Sequence, residues 1–250
     1  RKLLDHYGIS RPMMSLHEHN ENEAAAGLIE LLRAGESLAL VSDAGTPLIS
    51  DPGYRLVVLA REQGIRVVPV PGACALITAL SASGLPTDRF VFEGFLPAKS
   101  SARRARLQAL LHEARTLVFY EASHRIRDSL ADMAALFGAE RRAVIARELT
   151  KRFQTVHSGV LNALVVWIHA DSSRQKGEFV VIVHGEQREA GDEVTERAEQ
   201  VLGVLLEELP VRQAAKLAAR LTGINKRALY RRGLEIQPPG KGRSKDTASD

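Results

Sequence analysis

Four polar clusters stand where apolar, strand-like runs end or begin. Glu121-Ala122-Ser123-His124-Arg125 follows the run Thr116–Tyr120, and Glu148-Leu149-Thr150-Lys151 follows Ala143–Arg147. Lys176-Gly177-Glu178 leads into the run EFVVIV. The fourth, SDAGTPLISDPG at 42–53, lies between the run Ser37–Val41 and the helix-like Tyr54–Ala60. Between them they hold carboxylates, an imidazole and an ammonium, the groups that accept, donate or balance protons. Their glycines let backbone approach a ligand closely. In open α/β sheets, loops at strand ends converge on a shared cleft. Each cluster taken singly also has a plain explanation: Asp51 and Ser123 as helix caps, or Glu148 with Lys151 as a surface pair. Several clusters at equivalent strand ends favour a site.

Other chemistries find less support. His17-Glu18-His19, with Glu21 and Glu23 after it, lacks helical two-histidine spacing and any cysteine partner, so no metal site is expected. Cys74 begins an apolar helix with no histidine near it in sequence, which suits a small core residue better than a nucleophile. Trp167 in LVVWIHA reads as core. There is no Walker motif and no GxGxxG, which argues against ATP hydrolysis and ordinary dinucleotide binding.

The elements that must position these clusters alternate. Helix is expected at 21–33, 54–63, 73–82, 102–114, 125–137 and 160–169, and strand at 37–41, 65–70, 89–93, 116–120, 143–147, 154–158 and 178–184. That alternation implies an α/β fold, and in the first half a largely parallel sheet covered on both faces. The units expected are a first α/β domain over 1–87, a second over 88–190 and a helical region over 191–236. A polar Pro/Gly-rich tail, 237–250, is expected to be disordered. In the helical region, 211–221 and 226–234 are joined by Thr222-Gly223-Ile224-Asn225, which gives them helix-turn-helix character.

Charge separates this last region from the rest. The 250 residues carry a formal charge of +4, from 34 Lys and Arg against 30 Asp and Glu. Between Arg212 and Lys245, ten basic residues face one acid, Glu235. An excess of this kind points to a polyanion, most simply nucleic acid. Arg212, Lys216, Arg220, Lys226, Arg227, Arg231 and Arg232 are therefore candidate phosphate contacts, and Lys99, Arg103, Arg104 and Arg106 after FLP form a second set. With one cysteine no internal disulfide forms, and a reducing, cytoplasmic setting is expected. No apolar run approaches a membrane span.

SDAGTPLISDPG, PGACAL at 71–76, FEGFLP at 92–97, YEASHR at 120–125, RELTK at 147–151 and KGEFVVIV at 176–183 occur in an order and spacing that resemble one family closely. It is the bacterial ribosomal RNA small-subunit methyltransferase I family, within the tetrapyrrole-methylase superfamily. The resemblance runs from the first residue to about Leu234. It implies two α/β domains with S-adenosylmethionine in the cleft between them, and a homodimer. It further implies methylation of a cytidine ribose 2′-hydroxyl in the decoding region of small-subunit ribosomal RNA, free or in the assembled subunit. On that likeness Asp43, Ala44 and Gly45 match the first cofactor loop, and Ala73 and Ala75 the segment packed near it. Tyr120, Glu121 and Ala122 match a cleft-facing loop, followed by Ala146, Arg147 and Glu148, then Gly177 and Glu178. His124, Glu148 and Lys151 are the candidate catalytic groups.

The sequence departs from the family in three places. Members begin with a strand and a Thr-Pro-Ile-Gly-Asn-type loop that helps bind the cofactor, and neither stands before Arg1. Proline is common where Ser123 stands and glutamate where Gln154 stands, so Gln154 is given no carboxylate's role. Two other readings compete. One is a small-molecule methyltransferase of the same superfamily, acting on a tetrapyrrole or a modified histidine, against which the basic C-terminal helices argue. The other is a non-catalytic nucleic-acid-binding protein, which leaves the α/β loops unexplained.

Overall fold

The computed structural model describes residues 2–17, 20–186 and 194–236, in two compact units that divide after Gly185. The expected tail lies outside the described residues. The first unit opens with four helices, α1 (Lys2–His6), α2 (Glu21–Arg33), α3 (Tyr54–Glu62) and α4 (Ala75–Ser83). It continues with β1 (Phe90–Phe95), α5 (Ser100–Ala109), β2 (Thr116–Ala122), α6 (Ile126–Phe137), β3 (Arg142–Arg147), β4 (Thr155–Val160), α7 (Leu161–His169) and β5 (Glu178–Val183).

The five strands form one sheet in the order β1-β2-β5-β3-β4. Its strands carry apolar residues on both faces, and the two-residue period sorts them into two cores. Leu117, Phe119, Ile145 and Val181 point to one side, where Leu107 of α5, Leu130 and Met133 of α6, and Leu164 and Ile168 of α7 bury them. Val118, Val144, Val180 and Ile182 point to the other, where Leu76, Ala79 and Leu80 of α4 cover them. A sheet buried on both faces explains why these strands read as unbroken apolar runs.

The sheet is mixed and lies wholly within 88–190; the largely parallel sheet expected of the first half has no ladder among the described residues. Only β1 and β2 pair in parallel; β2–β5, β5–β3 and β3–β4 are antiparallel. The segments 37–41 and 65–70, expected as strands, carry no ladder among the described residues. Val41, Val68 and Val70 in them are exposed. Their β-branched side chains would fit a pleated surface, but a strand also needs a neighbour's N–H and C=O groups.

The second unit holds α8 (Glu196–Glu208), α9 (Val211–Thr222) and α10 (Lys226–Ile236). Thr195 caps α8 by accepting from the Ala198 N–H at 3.2 Å. Gly223 ends α9 with a φ of 75°, the left-handed cap that favours glycine. Asn225 Oδ1 accepts from the Arg227 N–H at 2.8 Å at the start of α10. Leu202, Leu206, Ala214, Ala215, Ala218 and Leu229 make the core. Small residues let the helices close up, and a Cβ on Gly233 would lie 2.9 Å from Val211.

Candidate functional site

Strand direction gathers the polar clusters. β1, β2 and β3 point one way and β4 and β5 the other, by the pairing senses given above. The chain therefore leaves β1 at Phe95, β2 at Ala122 and β3 at Arg147 at the same end of the sheet where it enters β4 at Thr155 and β5 at Glu178. Ala122 pairs with Glu178, and Arg147 with both Phe179 and Thr155. His124, Glu148, Lys151 and Gly177 all lie within a few residues of that end.

The 42–53 loop reaches the same place. Thr46 Oγ1 donates to the Ala73 carbonyl at 2.9 Å, which brings Asp43–Gly45 beside Ala73–Ala75. Its far half abuts β1: a Cβ on Gly94, where β1 bulges, would sit 3.2 Å from Ser50 Oγ. Leu48 and Ser50 have φ of 72° and 56°, costly for residues with side chains. Gly53, at φ 126°, ends the loop, and a Cβ there would strike Leu40 Cδ2 at 2.7 Å. Glu21 on α2 fixes this end by accepting from the Gly53 and Arg55 N–H groups at 2.9 and 2.8 Å, capping α3. Nothing in the sequence pattern pairs Glu21 with a residue 32 positions on.

Tyr120 joins this loop system to the sheet. Its hydroxyl accepts from the Leu76 N–H at 3.0 Å in the first turn of α4, and its ring makes edge contacts with Phe92 and Phe95. Burial pushes its pKa up to about 12, so the hydroxyl stays neutral. Glu121 behaves differently. Its buried carboxylate accepts from Ser129 Oγ at 2.5 Å and from the Ala122 N–H at 2.8 Å, with Arg125 Nε 3.1 Å away. The Glu121 side chain is therefore part of the α6 packing and not a cleft-facing ligand, because its neighbours saturate it. Ser123 does not cap α6, whose N-cap is Arg125 with no side-chain bond. Ala146, on β3 between β4 and β5, is fully buried.

The loop after β3 is held by ionic and backbone contacts together. Lys151 Nζ lies 3.0 Å from Glu148 Oε1 and 2.9 Å from Glu178 Oε2. Glu148 Oε1 also accepts from the Glu178 N–H at 3.0 Å, and Arg147 Nε donates to the Lys176 carbonyl at 2.6 Å. Gly177, at φ 99°, has to be glycine, since a Cβ would fall 2.5 Å from Glu148 Cδ. The Glu178 N–H, and after it Lys151, hold the Glu148 pKa down. Glu178 and Glu148 hold the Lys151 pKa up. Lys151 is thus a cation at neutral pH and not a proton acceptor. Glu148 is an anion, already engaged. His124 is exposed and has no hydrogen-bonded partner among the described residues. No group of three or more metal-ligating side chains occurs among the described residues, of which Glu18 and His19 are not members.

The two basic sets differ. Arg103 is buried, its Nε 2.7 Å from Asp132, so it is not an outward phosphate ligand. Arg104 meets the other Asp132 oxygen at 2.8 Å, and Arg106 pairs with Glu93 at 2.6 Å. Arg232 is also committed, to Glu199 on α8 and to Glu235. By contrast Arg212, Lys216, Arg220, Lys226, Arg227 and Arg231 are exposed, with no carboxylate partner among the described residues.

Residues 2–165 match the family described as Tetrapyrrole (Corrin/Porphyrin) Methylases, and residues 192–237 match the RsmI C-terminal HTH domain. The chain therefore belongs to the tetrapyrrole methylases and is a methyltransferase. The fold agrees with that of a crystal structure of diphthine synthase, at a TM-score of 0.52 and 16% identity over 74% of this chain and 73% of that one. Within the family it groups with ribosomal RNA small subunit methyltransferase I. The Pseudomonas aeruginosa protein of that name is 56% identical over 94% of this chain and 84% of its own length. The one from Escherichia coli O157:H7 is 52% identical over 94% and 82%.

Proposed function

We propose that this chain methylates the ribose 2′-hydroxyl of a cytidine in the decoding region of small-subunit ribosomal RNA. In this reading it uses S-adenosylmethionine and works as a homodimer in the cytoplasm. The observation that carries the reading is the convergence of the 42–53 loop, Ala73–Ala75, Tyr120 and the Glu148–Gly177–Glu178 knot at one end of the sheet, in a chain with these relatives.

The residues present suit the cofactor. Above Gly45 the space is open except for the Ala73 carbonyl, 3.8 Å from where a Cβ would be. Asp43 is exposed, with a carboxylate fit to accept from hydroxyl or ammonium groups, and Ala44, Ala73 and Ala75 offer small walls. When bound, the cofactor supplies an electrophilic methyl group on a sulfonium. The protein's task is then alignment, and little bond-making chemistry falls to its side chains. Arg147, Gly177 and Glu178 complete the wall opposite the first loop. Lys151, kept cationic by two carboxylates, is placed to offset charge developing on the ribose oxygen. Glu148 orients Lys151. His124 is the candidate proton acceptor. In this reading the domains expected over 1–87 and 88–190 flank the cleft, and residues 191–236 hold the RNA through Arg212, Lys216, Lys226, Arg227 and Arg231, with Lys99 on α5's approach.

Two measurements test the reading. Mass mapping of ribosomal RNA from cells with and without the gene should show one ribose methyl group lost from a small-subunit cytidine; an unchanged map overturns it. Calorimetry should show S-adenosylmethionine binding that Gly45→Leu removes. A folded Gly45→Leu protein with normal affinity would exclude this placement of the cofactor.

A further inference from the structure

We infer that Phe153, with Arg152, is a stacking platform for an unstacked base of the RNA substrate, at or beside the methylated nucleotide. The inference rests on the RNA methyltransferase reading above and assigns the first protein–base contact within it.

Phe153 is 63% exposed, although it follows a loop that is otherwise tightly built. Glu148 and Thr150 adopt left-handed backbone, with φ of 50° and 64°. The Lys151 N–H donates to the Glu148 carbonyl at 3.0 Å, and the Gln154 N–H donates to the Lys151 carbonyl at 3.1 Å. The Thr150 N–H donates to Gln154 Oε1 at 2.6 Å. These bonds clamp the backbone on both sides of Phe153. Strain of this sort persists where surrounding structure enforces it, and such places are enriched in functional sites. A ring held out into water on a rigid turn has its ordering cost met before a ligand arrives.

Position and charge indicate which ligand. Arg147 pairs with Thr155, so Phe153 lies two residues beyond the ladder, at the end of the sheet where Gly177 and Glu178 enter β5. The Arg152 guanidinium stands 5.5 Å from the Phe153 ring centroid. Glu148 and Glu178, the carboxylates of the loop network, are taken up by Lys151. Arg152 has no carboxylate partner among the described residues. A flat apolar ring with an uncompensated cation fits a nucleobase with its phosphate, and such rings take bases that have left a helical stack. A protein partner is the competing occupant, and the mass measurement below separates the two.

The test uses the full chain, purified small ribosomal subunits and S-adenosylmethionine. Phe153→Ala should lower kcat/KM for the subunit by roughly 5- to 150-fold, the range spanned by one base–aromatic stack. Phe153→Trp should restore most of the loss, and Arg152→Ala should give a smaller loss. Cofactor affinity and light-scattering mass should not move. The Phe153→Trp variant also places an indole on the platform. Its fluorescence, compared with that of wild type to subtract Trp167, should show extra quenching on adding short oligocytidylate. The inference is overturned if Phe153→Ala keeps wild-type kcat/KM, or if Phe153→Trp is as poor as Phe153→Ala. It is equally overturned if Phe153→Ala changes the mass, which would make the ring a protein contact, or if oligocytidylate gives no extra quenching. Failure of wild type itself to methylate the subunit would sink the underlying reading, while the quenching comparison would still decide the stacking.

Discussion

Two helical stretches of this chain look alike as sequence and differ in space. α5 and its approach carry Lys99, Arg103, Arg104 and Arg106 with no acid among them; α9 and α10 carry a longer cationic series with Glu235 alone. In the fold, Asp132 and Glu93, from α6 and β1, pair with all three α5 arginines, Arg103 and Arg104 sharing Asp132. Most α9 and α10 cations meet no carboxylate among the described residues. Local charge in sequence therefore overstates what is available to a polyanion, because compensating groups arrive from distant elements. A cation that is buried and paired serves stability, and one that stays solvated is available for binding.

The largest expected effect follows from the first half of that contrast. Arg103→Ala leaves buried Asp132 with Arg104 alone and should cost about 3 kcal/mol of stability. For a chain of this size that is a fall in Tm on the order of 6–12 °C in a thermal melt. RNA affinity of the folded protein should not change, and a weakened affinity with an unmoved Tm would break the contrast. The second half predicts the opposite pattern. Lys226→Ala, Arg227→Ala and Arg231→Ala combined should weaken RNA binding about 100-fold at low salt, and the salt slope should flatten by about 0.9 per lost phosphate contact. Tm should hold, and binding isotherms at several salt concentrations read the result.

Arg232 sharpens the comparison, since it sits among the binding cations yet is paired like those of α5. Arg232→Ala should lower Tm slightly and leave the salt slope where it was. A flattened slope would place it with its neighbours after all. The smallest effect concerns Lys151, a paired cation inside the candidate site. The depressed Glu148 pKa means the pair's contribution is present above the ordinary carboxylate value, about 4.3, and is lost as pH falls through the folded value. The raised Lys151 pKa keeps it below about 10.4 and loses it as pH rises through a folded value above that. Subtracting the unfolding free-energy profile of Glu148→Gln from that of wild type should give a difference that is flat from about pH 5 to 9 and collapses in acid. Its size should stay under about 1 kcal/mol, because Lys151 is half-exposed and water screens the pair. A difference that changes near neutral pH would refute this assignment.

Much of the architecture was legible because burial writes itself into sequence. β2, β3 and β5 are apolar on both faces, and the helices between them keep a helical period, so their existence and order follow directly. The family motifs marked Asp43–Gly45, Ala73–Ala75 and Gly177–Glu178, and the fold brings these to one sheet end or to loops tied to it. What escaped reading was pairing. Segments 37–41 and 65–70 have the composition of strands, but composition does not encode whether a neighbour is present. The inward turn of Glu121 toward Ser129, the Tyr120 cap on α4 and the Glu21 cap on α3 all join residues far apart in sequence, except the first. Glycine was a better guide. Gly53, Gly94 and Gly177 each stand where the backbone is left-handed and another group lies close.

The grouping of polar loops at one end of the sheet leaves the other end available for instrumentation. The turn Gly138-Ala139-Glu140 between α6 and β3 lies there, with Ala139 and Glu140 exposed. β3 is six residues long, so the turn stands about 20 Å from the loop that follows Arg147. That separation lies in the working range of an optical ruler. Cys74 is the one cysteine of the chain. Moving the thiol, by Cys74→Ser with Glu140→Cys, would give a single attachment point for a dye or a surface tether at the end of the sheet away from the Glu148–Gly177–Glu178 loops.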